Sequence, residues 1–245
     1  MNDILRENII ELVSNLNTRA RHCCYLSSIL TTMFDKKYND LMDWSSDCQA
    51  KNDFLVDYQI SFLRCLAMEL CVILDSVDTN KKQYSVDALL IEIRKYIYNS
   101  VENKESLFSR PEEIKSGAEF RGFIYITEEN IPENSDDKSI CKILDKEKKS
   151  FLTSYGNELT DLKKTRNEFL AHPDINGNGK LPYPDFLRRI SDWCFSYSNL
   201  ILNLVTESGV PSYTIEGKKH YQEEWEKKYS SIIDIIIGSR KESTP

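Results

Sequence analysis

The first 33 residues are MNDILRENIIELVSNLNTRARHCCYLSSILTTM, and their apolar side chains recur at alternating steps of four and three. That spacing places them on one side of an α-helix. The stripe consists of Leu5, Ile9, Leu12, Leu16, Cys23, Leu26, Leu30 and Met33, with Arg19 as its one charged member. The pattern predicts a long bundle helix, in which Arg19 either extends its charge to solvent or points a cation into a site.

Five further segments have a helical spacing of apolar residues. They span about 54–74, 86–101, 140–172, 185–206 and 218–237. The first is the most apolar, but Asp57, Arg64 and Glu69 interrupt it, which favours a buried central helix over a membrane span. Gly156 is expected to weaken the 140–172 helix without ending it.

The segment from about 102 to 138 does not follow the helical pattern. It contains Pro111, two glycines, the acidic run EENIPENSDD with a second proline, and one short β-like run at 123–126. These features indicate an irregular insertion. The sequence therefore predicts an all-α, up-and-down helical bundle over 1–206 that carries this insertion, followed by a C-terminal helical extension over 207–245 that packs on the bundle.

Composition limits the function classes. The chain has 245 residues, with 32 basic and 39 acidic side chains and a net charge of −7, so any contact with nucleic acid must be local. The seven cysteines have no metal-finger spacing, and four of them (Cys23, Cys65, Cys71 and Cys194) lie in apolar helical patterns. Reduced core thiols and a first segment unlike a signal peptide predict a cytoplasmic protein without a membrane partner.

Arg166 and His172 are the residues most suggestive of chemistry. Arg166 lies on the same stripe as Leu159 and Leu162, so its guanidinium faces the bundle or another chain, where a cation needs a partner or ligand. His172 lies roughly 120° further around an ideal helix. Pro173 disfavours helix at His172, so the imidazole can turn toward the same surface. The structural alternative is an ion-paired Arg166 and a His172 that caps the helix.

The segment LKKTRNEFLAHPD at 162–174 resembles the signature of the HEPN superfamily, an Arg, a polar residue, a short spacer and a His. It is most similar to the AbiU-type abortive-infection branch. The matching residues are Arg166, Asn167, Ala171, His172 and Asp174. The resemblance implies a homodimer whose paired motifs face each other and form one RNase site without a metal. It also implies a toxin of a toxin–antitoxin or abortive-infection system, restrained by a cognate antitoxin.

Residue chemistry fits such a site. An imidazole can move the proton of a ribose 2′-hydroxyl, and a guanidinium can hold the phosphoryl oxygens with two parallel hydrogen bonds. We therefore expect Arg166, His172 and Asn167 to be catalytic, with Asn167 orienting the phosphate or the imidazole, and Lys163 and Lys164 to bind RNA, with no metal or cofactor. From 138 to 166 the chain has eight basic and four acidic residues, which would attract RNA locally.

Two other interpretations stay open. The loop DINGNGKLPYPD at 174–185 has oxygen donors and a glycine at EF-hand positions, which would make this a Ca²⁺-binding protein. Asp185 stands where an EF-hand has a bidentate Glu, and Pro182 departs from the pattern, so the loop is better explained as an inter-helix turn rich in Gly and Asn. The third interpretation is a non-catalytic helical interaction or regulatory module.

Overall fold

The computed structural model describes residues 2–33, 49–75, 84–98, 105–108, 136–167 and 183–206, together with Lys227 and Ser231. Within these ranges the chain forms α-helices and no β-strand, which confirms the predicted all-α class. The helices are α1 (Asn2–Met33), α2 (Gln49–Leu74), α3 (Val86–Tyr98), α4 (Asp137–Ser154), α5 (Gly156–Thr165) and α6 (Pro184–Val205).

The most buried helix is α6, which packs along α1. Almost every residue of α6 from Ile190 to Val205 is buried, and the predicted stripe of α1 faces it. A helix that is buried all around is the central element of its domain. The expectation that the 54–74 segment would hold this position is wrong, because α2 leaves Tyr58 and Met68 exposed on one side.

Arg19 lies at the contact between α1 and α2. Its Nε atom is 3.2 Å from a carboxylate oxygen of Glu69, and each side chain is about one third exposed. Ion pairs at such partly exposed positions contribute little to stability. Arg19 therefore has a partner within the chain, and nothing in this geometry points it into a separate site.

The insertion predicted for 102–138 is described only at its two ends. Asp136 accepts a hydrogen bond from the backbone N–H of Ser139 at 2.8 Å, so α4 begins at Asp137, a few residues before the sequence pattern suggested. The Asp137 carboxylate accepts from Ser106 Oγ at 2.6 Å and from the Leu107 N–H at 2.8 Å. This carboxylate ties the 105–108 segment to α4; the β-like run at 123–126 lies outside the described residues.

The helix expected over 140–172 is interrupted at Tyr155. The backbone there has φ −119° and ψ 18°, so α4 ends at Ser154 and α5 begins at Gly156. Hydrogen bonds continue on both sides, from the Tyr155 N–H to Phe151 O at 3.1 Å and from the Leu159 N–H to Tyr155 O at 2.9 Å. The expectation that Gly156 would not end the helix is therefore wrong. The low helix propensity of glycine makes a change of direction inexpensive here.

Gly156 offers a simple test of this interruption. A Cβ atom added there would meet no atom within 4 Å, and the backbone does not adopt a left-handed φ. Gly156→Ala should therefore raise the free energy of unfolding by about 0.4–1 kcal/mol, because alanine restricts the unfolded chain. Urea denaturation measures this change. A destabilised variant would show that the direction of α5 requires glycine.

Among the helices that the structure describes, none is long and apolar enough to cross a membrane. The six described cysteines are free thiols, and all except Cys65 are buried. The expectation that Cys65 belongs to the core is wrong, because it lies on the exposed side of α2. In the C-terminal extension, Lys227 and Ser231 are helical, with Ser231 Oγ donating to Lys227 O at 2.8 Å. The rest of the 218–237 helix lies outside the described residues.

Candidate functional site

Arg166 lies directly after α5, at the C-terminal cap of that helix. Its backbone N–H donates to both Leu162 O and Lys163 O, a shared hydrogen bond of the kind common at helix ends. The last turn of α5 therefore fixes the position of the backbone from which the Arg166 side chain extends.

The guanidinium of Arg166 has an acidic partner at the end of α2. Its Nη1 group donates to Asp75 Oδ2, and its Nε group donates to Asn167 Oδ1 at 3.1 Å. The two charged side chains are 21% and 30% exposed. Asp75 balances the charge of Arg166 within the chain, so the burial of this cation requires neither a ligand nor a second chain.

Asp75 was not among the residues singled out by the sequence. One signal was available: a carboxylate at the C-terminal end of a helix is disfavoured by the macrodipole, so it needs a cation nearby. The structure supplies two cations, because Lys163 Nζ lies 3.9 Å from Asp75 Oδ1 in addition to the contact with Arg166. The 91 residues between Asp75 and Arg166 explain why local patterns could not pair them.

The partners of Arg166 leave part of the guanidinium free. A guanidinium has five N–H donors in a planar fork. In the part of the chain that the structure describes, Asp75 and Asn167 accept from Nη1 and Nε, and no acceptor contacts Nη2. Because the side chain is 21% exposed, these remaining donors are accessible to an anionic ligand.

Cys71, which lies near Arg166 in the described part of the chain, is not a reactive thiol. Cys71 Sγ lies 4.0 Å from Leu162 O. Burial raises the pKa of the Cys71 thiol to about 11, and Asp75 adds to this rise while Arg166 and Lys163 oppose it. The thiol stays protonated at neutral pH, so it is a poor nucleophile.

Of the remaining predicted site residues, Lys163 and Lys164 lie within the described ranges and His172 does not. Lys163 is partly exposed and faces Asp75, and Lys164 is exposed on the same last turn of α5. His172 and Asp174 lie outside the described residues, so the meeting of His172 with Arg166 stays a prediction.

The loop at 174–185 is described only from Tyr183 onward. Asp185 lies in the first turn of α6, where its carboxylate is favourably placed for the helix dipole. Among the described residues, no group of three His, Cys, Asp or Glu side chains is placed to hold a metal ion.

In the α4 part of the basic segment from 138 to 166, both acidic side chains have partners within the chain. On α4, Asp145 accepts from Arg94 Nε at 3.3 Å, and the buried Glu147 accepts from Trp193 Nε1 at 3.2 Å. Four of the five lysines of α4 are exposed: Lys138, Lys142, Lys146 and Lys149. Lys148 instead turns toward α3 and pairs with Asp87. The charged exposed positions within α4 are therefore all lysines, a surface suited to a polyanion.

Replacing Asp75 tests the importance of its pair with Arg166. We expect Asp75→Ala to lower the free energy of unfolding by about 1–2 kcal/mol, between the values typical of exposed and of buried ion pairs. Chemical denaturation measures this loss. Asp161→Ala removes an exposed carboxylate from α5 and serves as the control, with no comparable loss. Equal stabilities of the two variants would contradict a supporting role for Asp75.

Comparison with known proteins gives no family assignment. No protein-family model, no curated protein and no solved structure matches this chain. The resemblance to the HEPN superfamily therefore rests on the sequence of the chain, chiefly on the residues from 162 to 174.

Proposed function

We propose that this chain is a metal-independent endoribonuclease of the HEPN type. The observation that carries the proposal is the arrangement at the end of α5: a guanidinium fixed by Asp75 and Asn167, with Lys163 beside it and N–H donors left over. A fixed cation with free donors suits the negative charge that develops on a phosphate during cleavage. His172 follows in the motif and supplies the acid/base group that the reaction requires.

The reaction follows from these residue types. His172 takes the proton of a ribose 2′-hydroxyl, whose oxygen attacks the adjacent phosphorus and displaces the 5′-oxygen of the next nucleotide. A protonated imidazole returns a proton to that leaving oxygen. Arg166 holds the phosphoryl oxygens, and Asp75 positions the guanidinium by occupying one edge of it. Asn167 holds the Nε side, and Lys163 and Lys164 attract the RNA.

The biological setting is proposed from the resemblance alone. In this proposal two chains form a homodimer that brings two Arg166–His172 motifs to one phosphate, so one imidazole serves as base and the other as acid. The protein acts as a cytoplasmic toxin in a toxin–antitoxin or abortive-infection system, and a cognate antitoxin restrains it.

Analytical ultracentrifugation tests the shared site. At tens of micromolar the purified chain should sediment as a dimer, and a monomer alone would contradict the shared site.

Cleavage assays on matched substrates test the proposal. The purified chain is incubated with single-stranded RNA and with DNA of the same sequence. Because the attacking group is the 2′-hydroxyl, the RNA should be cut and the DNA should stay intact. A chain that cuts neither substrate, or both equally, would contradict the proposed chemistry.

One observation favours a non-catalytic role as the second candidate. The contact between Arg166 and Asp75 accounts for the partly buried cation as a structural ion pair. In that case the unaltered chain does not cut RNA, and substitution of Arg166 changes only its stability and its binding to partners.

A further inference from the structure

Four exposed lysines form a continuous row on the outer side of α4, and we call this row the lysine stripe. Its members are Lys138, Lys142, Lys146 and Lys149. They are four, four and three residues apart on an observed helix, so successive side chains are neighbours on its surface. With a rise of 1.5 Å per residue, the stripe is about 16 Å long. In the part of the chain that the structure describes, no carboxylate lies within ion-pair distance of these four ammonium groups.

The carboxylates of α4 do not neutralise the lysine stripe, because each of them has a partner elsewhere. Asp137 accepts hydrogen bonds from the 105–108 segment, and Asp145 pairs with Arg94 on α3. The buried Glu147 accepts from Trp193. Like charges three or four residues apart destabilise a helix. A bound polyanion would remove this repulsion, so the stripe favours such a ligand although the chain as a whole is acidic.

An exposed aromatic ring lies at one end of the lysine stripe. Tyr98 is the last residue of α3 and is 54% exposed, and Lys138 Nζ lies 5.8 Å from the centroid of its ring. Proteins that bind single-stranded nucleic acid combine these two features, a row of cations that follows the phosphates and an aromatic ring on which a base stacks. The contact between Lys138 and Tyr98 brings the two features together on one surface.

Other macromolecules match this surface less well. The centres of protein–protein interfaces are depleted in lysine. A helix that lies on a membrane inserts its apolar side among the lipids, whereas the apolar side of α4 is buried in the bundle through Ile140, Leu144 and Phe151. A single-stranded nucleic acid complements both the charge of the lysines and the ring of Tyr98.

We propose that the lysine stripe and Tyr98 bind a single-stranded segment of RNA, with its phosphates along α4 and one base stacked on Tyr98. This inference rests on the proposed ribonuclease function and deepens it by naming single-stranded RNA as the substrate class. A lysine contacts phosphate as a point charge, and an aromatic ring stacks on any base. The surface therefore contributes affinity without choosing a sequence.

Binding of an uncleavable RNA tests the lysine stripe separately from cleavage. A labelled single-stranded oligonucleotide with 2′-O-methyl groups at every position is titrated with the full chain at several salt concentrations. The double variant Lys142→Gln/Lys146→Gln should reduce the slope of log K against log salt by about 1.4, because each single-strand phosphate contact contributes about 0.7. Lys142→Arg/Lys146→Arg should keep the slope, because arginine also binds phosphate.

A control variant separates the lysine stripe from the net charge. Arg21→Gln/Arg64→Gln removes two exposed cations from α1 and α2, so it changes the net charge by the same amount. It should leave the slope unchanged. All the substituted side chains are exposed, and thermal melting checks that each variant is folded.

Substitution of Tyr98 tests the stacked base. Tyr98→Ala should weaken binding about tenfold, a loss within the range for one stacked base. Tyr98→Phe keeps an aromatic ring and should bind normally. Tyr58→Ala removes another exposed tyrosine, on α2, and serves as the control with no comparable loss.

The outcomes distinguish this inference from the nuclease. Equal slopes for the stripe and control variants, normal binding by Tyr98→Ala, or no binding of the oligonucleotide by the unaltered chain would each overturn the surface. Stripe variants that lose binding to phosphatidylserine vesicles but keep binding to the oligonucleotide would also overturn it, in favour of a membrane. A chain that binds the oligonucleotide through this surface but never cuts unmodified RNA keeps the surface and refutes the nuclease.

Discussion

Arg166→Lys should reduce the rate of RNA cleavage by about 10²–10³, the loss typical of removing one donor that stabilises a transition state. The substitution keeps the positive charge, so a lysine at 166 can still pair with Asp75 and hold the end of α5 in place. An ammonium cannot make two parallel hydrogen bonds to one phosphate. A large loss of kcat with a nearly unchanged thermal midpoint is therefore the expected result.

The control for this variant is Arg94→Lys. Arg94 likewise pairs with a carboxylate, that of Asp145 on α4, which it contacts through its Nε and Nη2 atoms. The same chemical change is thus made at a comparable ion pair outside the proposed site. Cleavage by Arg94→Lys should stay normal. If Arg166→Lys also cut RNA at the normal rate, Arg166 would be a structural residue only.

His172→Ala should have the second large effect, a loss of about 10²–10⁴ in the rate, because the variant has no group to carry the proton. His22→Ala is the matched control, since His22 is exposed on α1 and stacks on Tyr25 with ring centroids 6.0 Å apart. Single-turnover kinetics with saturating protein separate this loss from weaker binding.

The double variant tests whether the two residues act together. If Arg166 and His172 serve one transition state, the combined change should be hardly worse than the more damaging single change. Losses that multiply would instead show that the two residues contribute independently, which contradicts a shared site.

The helices that follow a regular apolar pattern could be predicted from the sequence. In α1 the residues at steps of four and three, such as Ile9, Leu16 and Leu30, are fully buried as expected. The central position of α6 could not be predicted, because buried polar residues interrupt its apolar pattern. Ser198, for example, is fully buried and accepts a hydrogen bond from Asn17 Nδ2 at 3.3 Å, a partner that only the folded chain supplies.

The candidate site was predictable only in part for a similar reason. The helical spacing placed Arg166 on the stripe that faces the bundle, which agrees with its partly buried side chain. The acidic partner of Arg166 came from the end of α2, 91 residues away in the sequence. Local spacing does not determine contacts between distant helices, so the pairing with Asp75 required the three-dimensional structure.

Product analysis in the presence of EDTA tests the central claim most directly. The chain is incubated with RNA in excess EDTA, and the ends of the fragments are identified by mass spectrometry. Because imidazole and guanidinium replace a metal-bound water, cleavage should continue at the same rate and leave 2′,3′-cyclic phosphate ends. Cleavage that stops in EDTA, or that leaves 3′-hydroxyl and 5′-phosphate ends, would contradict the proposed mechanism.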